Sequence, residues 1–327
     1  MPAIFAEKLE KRFPPDIRAV DGIDLAIDDG KLFGFLGQNG SGKTTTIGML
    51  TTLLRPTSGR AEVAGLDVVR HPNEVRRRIG VALQDAALDD LQTGRELLVL
   101  QARLYELPGK QVKERAAELL KVVDLEDAAD RVVGTYSGGM RRRLDLAAAL
   151  VHRPKIIFLD EPTTGLDPIS REAIWRYVAD LNKKDGVTFF LTTQYLEEAD
   201  RLADEVAIMD AGRIVAQGSP AELKASIGAD VITVRIEGDA EAVDRATEAV
   251  RKAPGVQDVR ALDSSVVIYI RDGSTAISRI VLLLDAASVG VGEVSLARPS
   301  LDDVFIRKTG RQMKLAAEMG STTGESV

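Results

Sequence analysis

Gly37-Gln38-Asn39-Gly40-Ser41-Gly42-Lys43-Thr44 fits the pattern G-x-x-x-x-G-K-[ST]. Each residue type in it has a physical task. The glycines let backbone N–H groups close around phosphate oxygens. Lys43 carries a positive charge to the β- and γ-phosphates, and the Thr44 hydroxyl can ligate Mg²⁺. The flanks agree. Residues 31–36 (KLFGFL) read as a short buried strand, and residues 45–54, from Thr45, read as the helix that follows. Phosphates would then sit at a helix N-terminus, where unpaired N–H groups and the helix dipole favour anions.

A second apolar strand signal, residues 155–159 (KIIFL), ends in two carboxylates, Asp160 and Glu161. In enzymes built on such a phosphate loop, an Asp at this place holds Mg²⁺ directly or through water, and the next carboxylate can orient or deprotonate the attacking water. Residues 187–191 (VTFFL) and 205–209 (EVAIM) repeat the apolar run, with helical stretches from Ile169 and Tyr195. Continuous apolar runs are what a parallel sheet buries on both faces. Residues 3–82 read as strand-rich and residues 85–153 as helical, the latter exemplified by QVKERAAELLKVV at 111–123. Alternating strand and helix predict an α/β core with a helical insertion.

From residue 229 the pattern changes. Residues 231–236 alternate as a strand, 240–253 read as helix closed by Pro254-Gly255, and 256–262 and 265–270 read as strands. Residues 274–287 are helical and 293–297 strand, so the order is βαββαβ, an α+β domain of ferredoxin-like type. Residues 299–308 add a short helix, and 311–327 read as a polar, disordered tail. The expected division is a nucleotide-binding domain at 1–225, its helical part at about 85–153, and an accessory domain at 229–310.

The composition narrows the function classes. The 327 residues include no Cys, which excludes disulfides and thiolate zinc sites and fits a reducing cytosol. A net charge of −7 disfavours broad nucleic-acid binding, so none is expected as a partner. No uninterrupted apolar run reaches membrane-spanning length, since residues 280–284 are cut by Asp285. Any membrane span in the system is expected to come from another chain.

Tyr136-Ser137-Gly138-Gly139-Met140 precedes a helical stretch, with Ser137 placed to cap it. With the phosphate loop upstream and Asp160-Glu161 downstream, the chain resembles the ATP-binding cassette (ABC) ATPases, whose signature motif is usually written LSGGQ. The resemblance covers residues 3 to about 225. It implies a P-loop NTPase fold, ATP and Mg²⁺ as ligands, and a homodimer in which Ser137, Gly138 and Gly139 of one copy cap the ATP held by Lys43 of the other. It also implies that Gln84, at a strand end, touches Mg²⁺ and the water and senses a membrane partner. Phe13 falls where the family stacks an aromatic ring on adenine, and Thr164-Gly165-Leu166-Asp167 looks like the loop along the dimer seam. The family's switch histidine is replaced by Gln194, which can hydrogen-bond the γ-phosphate but carries no proton or charge. That leaves Glu161 as the expected base. The two histidines, His71 and His152, are given no catalytic role.

YSGGMRRR at 136–143, LTTQYLEEAD at 191–200 and SLDDVF at 300–305 resemble the daunorubicin-resistance type within that family. This implies two copies on the cytoplasmic face of a bacterial membrane, driving a separate polytopic permease that exports a drug, antibiotic or lipid. Three other readings stay open at this point: a soluble ABC ATPase acting on ribosomes or nucleic acid, a slow nucleotide-sensing regulator, and an importer subunit. The C-terminal domain reads either as an extension of the dimer interface or as a small-ligand regulator. The arginine runs 76–78 and 141–143 read as solvated faces or local ion pairs rather than lipid or permease contacts.

Overall fold

The apolar runs around the phosphate loop and the carboxylate pair become neighbours in one sheet. A computed structural model describes residues 2–83, 88–227 and 230–310. Contacts divide the chain into two compact units, Met1–Ile214 and Val215–Val327.

The first unit begins with β1 (Ile4–Phe13), β2 (Ile17–Ile27), β3 (Leu32–Leu36), α1 (Lys43–Leu50), β4 (Ser58–Val63), β5 (Leu66–Asp67), α2 (Pro72–Arg78) and β6 (Ile79–Ala82). An antiparallel sheet has the order β2-β1-β4-β5. The helical insertion follows as α3 (Gly94–Leu104), α4 (Gly109–Val122), a 3-10 turn at Val133–Thr135 and α5 (Gly138–Ala149). Then come β7 (Ile156–Asp160), α6 (Pro168–Asp185), β8 (Thr188–Thr193), α7 (Leu196–Leu202), β9 (Glu205–Asp210) and β10 (Arg213–Gly218), within which the division between the units falls. A six-stranded sheet has the order β10-β9-β3-β8-β7-β6. Its β3, β7 and β8 are buried along their whole length, which is why each reads as an unbroken apolar run.

Parallel registers fix the site. Leu36 lies opposite Thr193, and Asp160 opposite Thr192, so the carboxyl ends of β3, β7 and β8 are level. Open α/β sheets bind ligands at that edge.

One expected boundary is wrong. The helix after the phosphate loop spans Lys43–Leu50, not residues 45–54. Thr52 adopts a left-handed φ of 67°, and the Leu54 N–H turns back to donate to the Gly48 carbonyl at 2.8 Å. Leu54 also packs over Gly48, where a Cβ would lie 2.8 Å from its Cδ1. The chain therefore folds over the last turn instead of extending it.

The second unit holds α8 (Pro220–Ile227), β11 (Asp230–Glu237), α9 (Ala240–Arg251), β12 (Val256–Leu262), β13 (Ser265–Ile270), α10 (Gly273–Ala286), β14 (Gly290–Ala297) and α11 (Leu301–Thr309). Its sheet order β12-β13-β11-β14, antiparallel throughout, is the ferredoxin-like arrangement expected from βαββαβ. One face (Ile232, Val234, Val266, Ile268) packs with α9 and α10. Alternation along β13 sends Tyr269 to the opposite face, where its hydroxyl donates to the Asp303 carbonyl of α11 at 3.3 Å and Arg307 stacks on its ring. Arg307 donates in turn to the Ile227 carbonyl of α8 at 2.8 Å. The central strands β11 and β13 are thus covered on both sides, while the edge strand β14 stays largely exposed. The expected tail at 311–327 lies outside the described residues.

Candidate active site

The phosphate loop runs from the end of β3 into α1. Gly37 has a φ of 159°, Gly40 of 79° and Gly42 of 110°. At Gly42, which caps α1, a Cβ would sit 2.3 Å from the Ala19 carbonyl oxygen, so only glycine fits. Lys43 is 4% exposed, and its ammonium donates to the Gly37 and Gln38 carbonyls at 2.7 and 3.1 Å. Burial pushes its pKa down, while Glu161 and Asp160 pull it back up. Asn39, Gly40 and Thr44 are exposed, Gln38 and Thr45 half-buried, and Ser41 buried.

Across the sheet edge stand the two carboxylates. Asp160 ends β7 and is 1% exposed; its Oδ1 accepts from the Thr192 hydroxyl at 2.5 Å. Glu161 follows in a left-handed φ of 49°, with one carboxylate oxygen 3.8 Å from the Lys43 ammonium. Non-glycine residues adopt such a φ only where neighbours hold them there, often at functional sites. Here the Glu161 N–H donates to the Thr192 hydroxyl at 3.0 Å and to its carbonyl at 3.2 Å. Gln194 follows β8 and is 3% exposed. The loop, Lys43, Asp160, Glu161 and Gln194 therefore share one edge. Gln84 falls in the undescribed segment 84–87.

Three polar atoms at this edge are buried without a partner among the described residues: Ser41 Oγ, Asp160 Oδ2 and Gln194 Oε1. Burying such atoms unpaired is costly, so they fit a polar ligand reaching between them. An unshared Asp160 oxygen and an exposed Thr44 are also the donor types that Mg²⁺ takes. That ion keeps several waters and phosphate oxygens and takes one or two protein oxygens.

Other expected residues stand elsewhere. Ser137 caps α5, its hydroxyl accepting from the Met140 N–H at 3.2 Å, and Ser137 and Gly138 are exposed. Gly139 backs onto Leu166 of the seam loop, where a Cβ would lie 3.3 Å from Leu166 Cδ2. Phe13 closes β1, half-buried, with the Lys11 ammonium 5.1 Å from its ring centre.

A profile described as "ABC transporter" matches residues 20–164, and one described as "ATP-binding protein DrrA1-3-like, C-terminal domain" matches residues 218–309. A daunorubicin resistance ATP-binding protein, DrrA2 of Streptomyces coeruleorubidus, is 49% identical over 311 residues, covering 95% of this chain and 96% of that one. This chain belongs to the daunorubicin-resistance group of ABC ATP-binding subunits. The Nod factor export ATP-binding protein I of Ralstonia nicotianae is 38% identical, covering 96% of this chain and 95% of that protein. The cassette MJ0796, solved as a dimer bound to ADP and Pi, aligns with a TM-score of 0.62 at 26% identity over 66% of this chain and 98% of its own. This ABC ATPase has, among its described residues, no helix long and apolar enough to cross a membrane.

Three features of the site were not foreseen. Thr192 joins the Asp160 carboxylate to the Glu161 backbone N–H. Glu198, 9% exposed, accepts from Thr163 Oγ1 at 3.0 Å and Thr193 Oγ1 at 3.2 Å and pairs with Arg171 at 3.4 Å, tying the turn after Glu161 and the start of α6 to the end of β8. The third is the 141–143 run. Arg141 binds Asp90 and Arg143 binds Asp124, while Arg142 reaches back to the strand ends. All three make ion pairs within the chain, the second of the two expected readings, and only the reach of Arg142 to backbone carbonyls is new. TTQ at 192–194 was the visible signal for Thr192; nothing in the local pattern separates Arg142 from its neighbours.

Proposed function

We propose that two copies of this ABC ATPase close around two ATP molecules and drive a separate permease in a bacterial membrane. The observation that carries this reading is the set of three buried, unpartnered polar atoms around Lys43 at the carboxyl edge of β3, β7 and β8. Ser41 and the loop N–H groups would hold phosphate oxygens. Thr44 and Asp160 would hold Mg²⁺, which offsets charge on the phosphates when bound. Glu161 would take a proton from the attacking water as its oxygen bonds the γ-phosphorus and the bond to ADP breaks, leaving phosphate. Gln194 would orient that phosphate through neutral hydrogen bonds. The exposed N-terminus of α5 at Ser137–Gly139 would complete the second copy's site, and Phe13 would stack on adenine.

An open groove is lined mainly by apolar residues, among them Leu53, Val81, Leu83, Leu88 and Leu97, with Arg76 and Asp145 also in its wall. Leu53 is 57% exposed there. This apolar groove would receive a cytoplasmic helix of the permease, placing the chain on the cytoplasmic face. Relatives named for daunorubicin resistance and for Nod factor export share this chain's architecture, which supports export with the cargo chosen by the permease. The double cover over the central strands of the second unit favours a dimer-extending role over a ligand-binding one.

The test is affinity purification of the tagged protein from detergent-solubilised native membranes, followed by mass spectrometry. One polytopic permease recovered near one-to-one supports the reading. Ribosomal or DNA-repair proteins, or no membrane protein, would move it to a soluble ABC ATPase.

A further inference from the structure

Arg142 lies on α5, five residues beyond Ser137, about 7.5 Å along the helix. Its side chain is 11% exposed. The guanidinium donates to the Pro162 carbonyl at 3.3 Å and to the carbonyls of Leu83 and Asp160, and sits 3.5 Å from the Asp145 carboxylate. Two of these carbonyls bracket Glu161 in sequence. The third ends the stretch just before 84–87.

The Asp160 carbonyl and the Glu161 N–H belong to one peptide group. Arg142 holds its oxygen from α5, and Thr192 holds its N–H from β8. That peptide sets the left-handed turn that carries the Glu161 side chain. A planar fork with five donors suits several carbonyls at once, whereas a lysine ammonium is a point charge on a flexible stem. Burial without such partners would be costly for the cation.

We propose that Arg142 is a positioning residue that couples the two nucleotide sites of the dimer. Engagement of the α5 N-terminus by the partner's nucleotide is carried along α5 to the peptide that aims Glu161 at this chain's own nucleotide. The inference rests on the homodimer reading above.

The experiment keeps the active chain dilute and adds an excess of a silent partner, so that only the dilute chain hydrolyses ATP. One partner is Glu161→Gln, which holds ATP; the other is Lys43→Ala with Glu161→Gln, which leaves its site empty. The ratio of turnover with the filled partner to turnover with the empty one measures coupling. For the wild-type chain the ratio is expected within the roughly 5- to 150-fold range of intersite coupling. In Arg142→Lys and Arg142→Met it is expected to fall to about one, below the floor of that range and equivalent to no coupling. A purely structural role would lower both rates together, so an unchanged ratio in a folded variant overturns the proposal. Arg142→Lys keeps the charge beside Asp145 should Arg142→Met fail to fold. Absence of any mixed dimer when the dilute chain, mixed with its partner before ATP is added, is pulled down through its own tag would remove the homodimer reading, and this inference with it.

Discussion

Thr192→Val is the most informative single change in the site. Thr192 is fully buried; its hydroxyl donates to Asp160 at 2.5 Å and accepts from the Glu161 N–H at 3.0 Å. Valine keeps the shape and removes both contacts. A hydrogen bond to a charged group contributes about 1.5–3 kcal/mol. The second contact is partly backed up, since the Glu161 N–H still reaches the Thr192 carbonyl at 3.2 Å. If the loss is felt fully in the transition state, kcat at saturating Mg-ATP falls about ten- to 150-fold. Felt in the fold instead, it lowers the melting temperature by about 2–4 °C per kcal/mol. Steady-state ATPase assays and thermal melts on the same preparations separate the two. Thr192→Ser restores the hydroxyl and is expected to recover most of the rate. Turnover within about twofold of wild type, with an unshifted melt, would refute the claim that Thr192 sets the carboxylates, because even the weaker bound predicts more.

Two groups at the helical insertion give opposing pH dependences. Burial holds His152 down at about 4 from 6.5, with its ring stacked on Tyr105; its stabilising effect is present above pH 6.5 and lost as pH falls toward 4. Burial pushes Asp145 up to about 6 from 3.8, against the pull of Arg142; its effect is present below pH 3.8 and lost as pH rises through 6. Each is at most about 3 kcal/mol, less for the half-exposed histidine after solvent screening. Denaturant midpoints of His152→Gln should therefore lose less on acidification from pH 6.5 to 4 than wild type, and those of Asp145→Asn should lose more. Parallel profiles for all three proteins would contradict both shifts. Gly42→Ala forces a Cβ to 2.3 Å from the Ala19 oxygen at a φ of 110°. A loss of about 1–3 kcal/mol from backbone strain alone is expected in urea unfolding, and wild-type stability would contradict it.

The sequence was most legible where one pattern had one physical cause. Between residues 231 and 297 strand and helix periods succeed each other, punctuated by Pro254-Gly255, and the strands and helices formed there within three residues of the reading. β3, β7 and β8 were visible because burial on both faces demands unbroken apolar runs. The end of α1 was not legible, because a fold-back of Leu54 onto Gly48 leaves no helix-breaking residue before Pro56. Nor was α8, which is short and gains its burial from α11, far along the chain. Among site residues, the phosphate loop and the carboxylate pair stood out because phosphate chemistry dictates their types. Arg142 and Glu198 did not, since their roles come from carbonyls and hydroxyls that only the fold brings near.

The central claim is that Glu161 is the base of a site completed by a second copy. Glu161→Gln keeps the size and hydrogen bonding of the side chain and removes its basicity. Purified Glu161→Gln protein, run on size exclusion with light scattering with and without Mg-ATP, tests it directly. The account predicts a monomer that becomes a stable dimer with unhydrolysed ATP, at two nucleotides per dimer. A Glu161→Gln protein that turns over ATP robustly, or stays monomeric at saturating ATP, would contradict it.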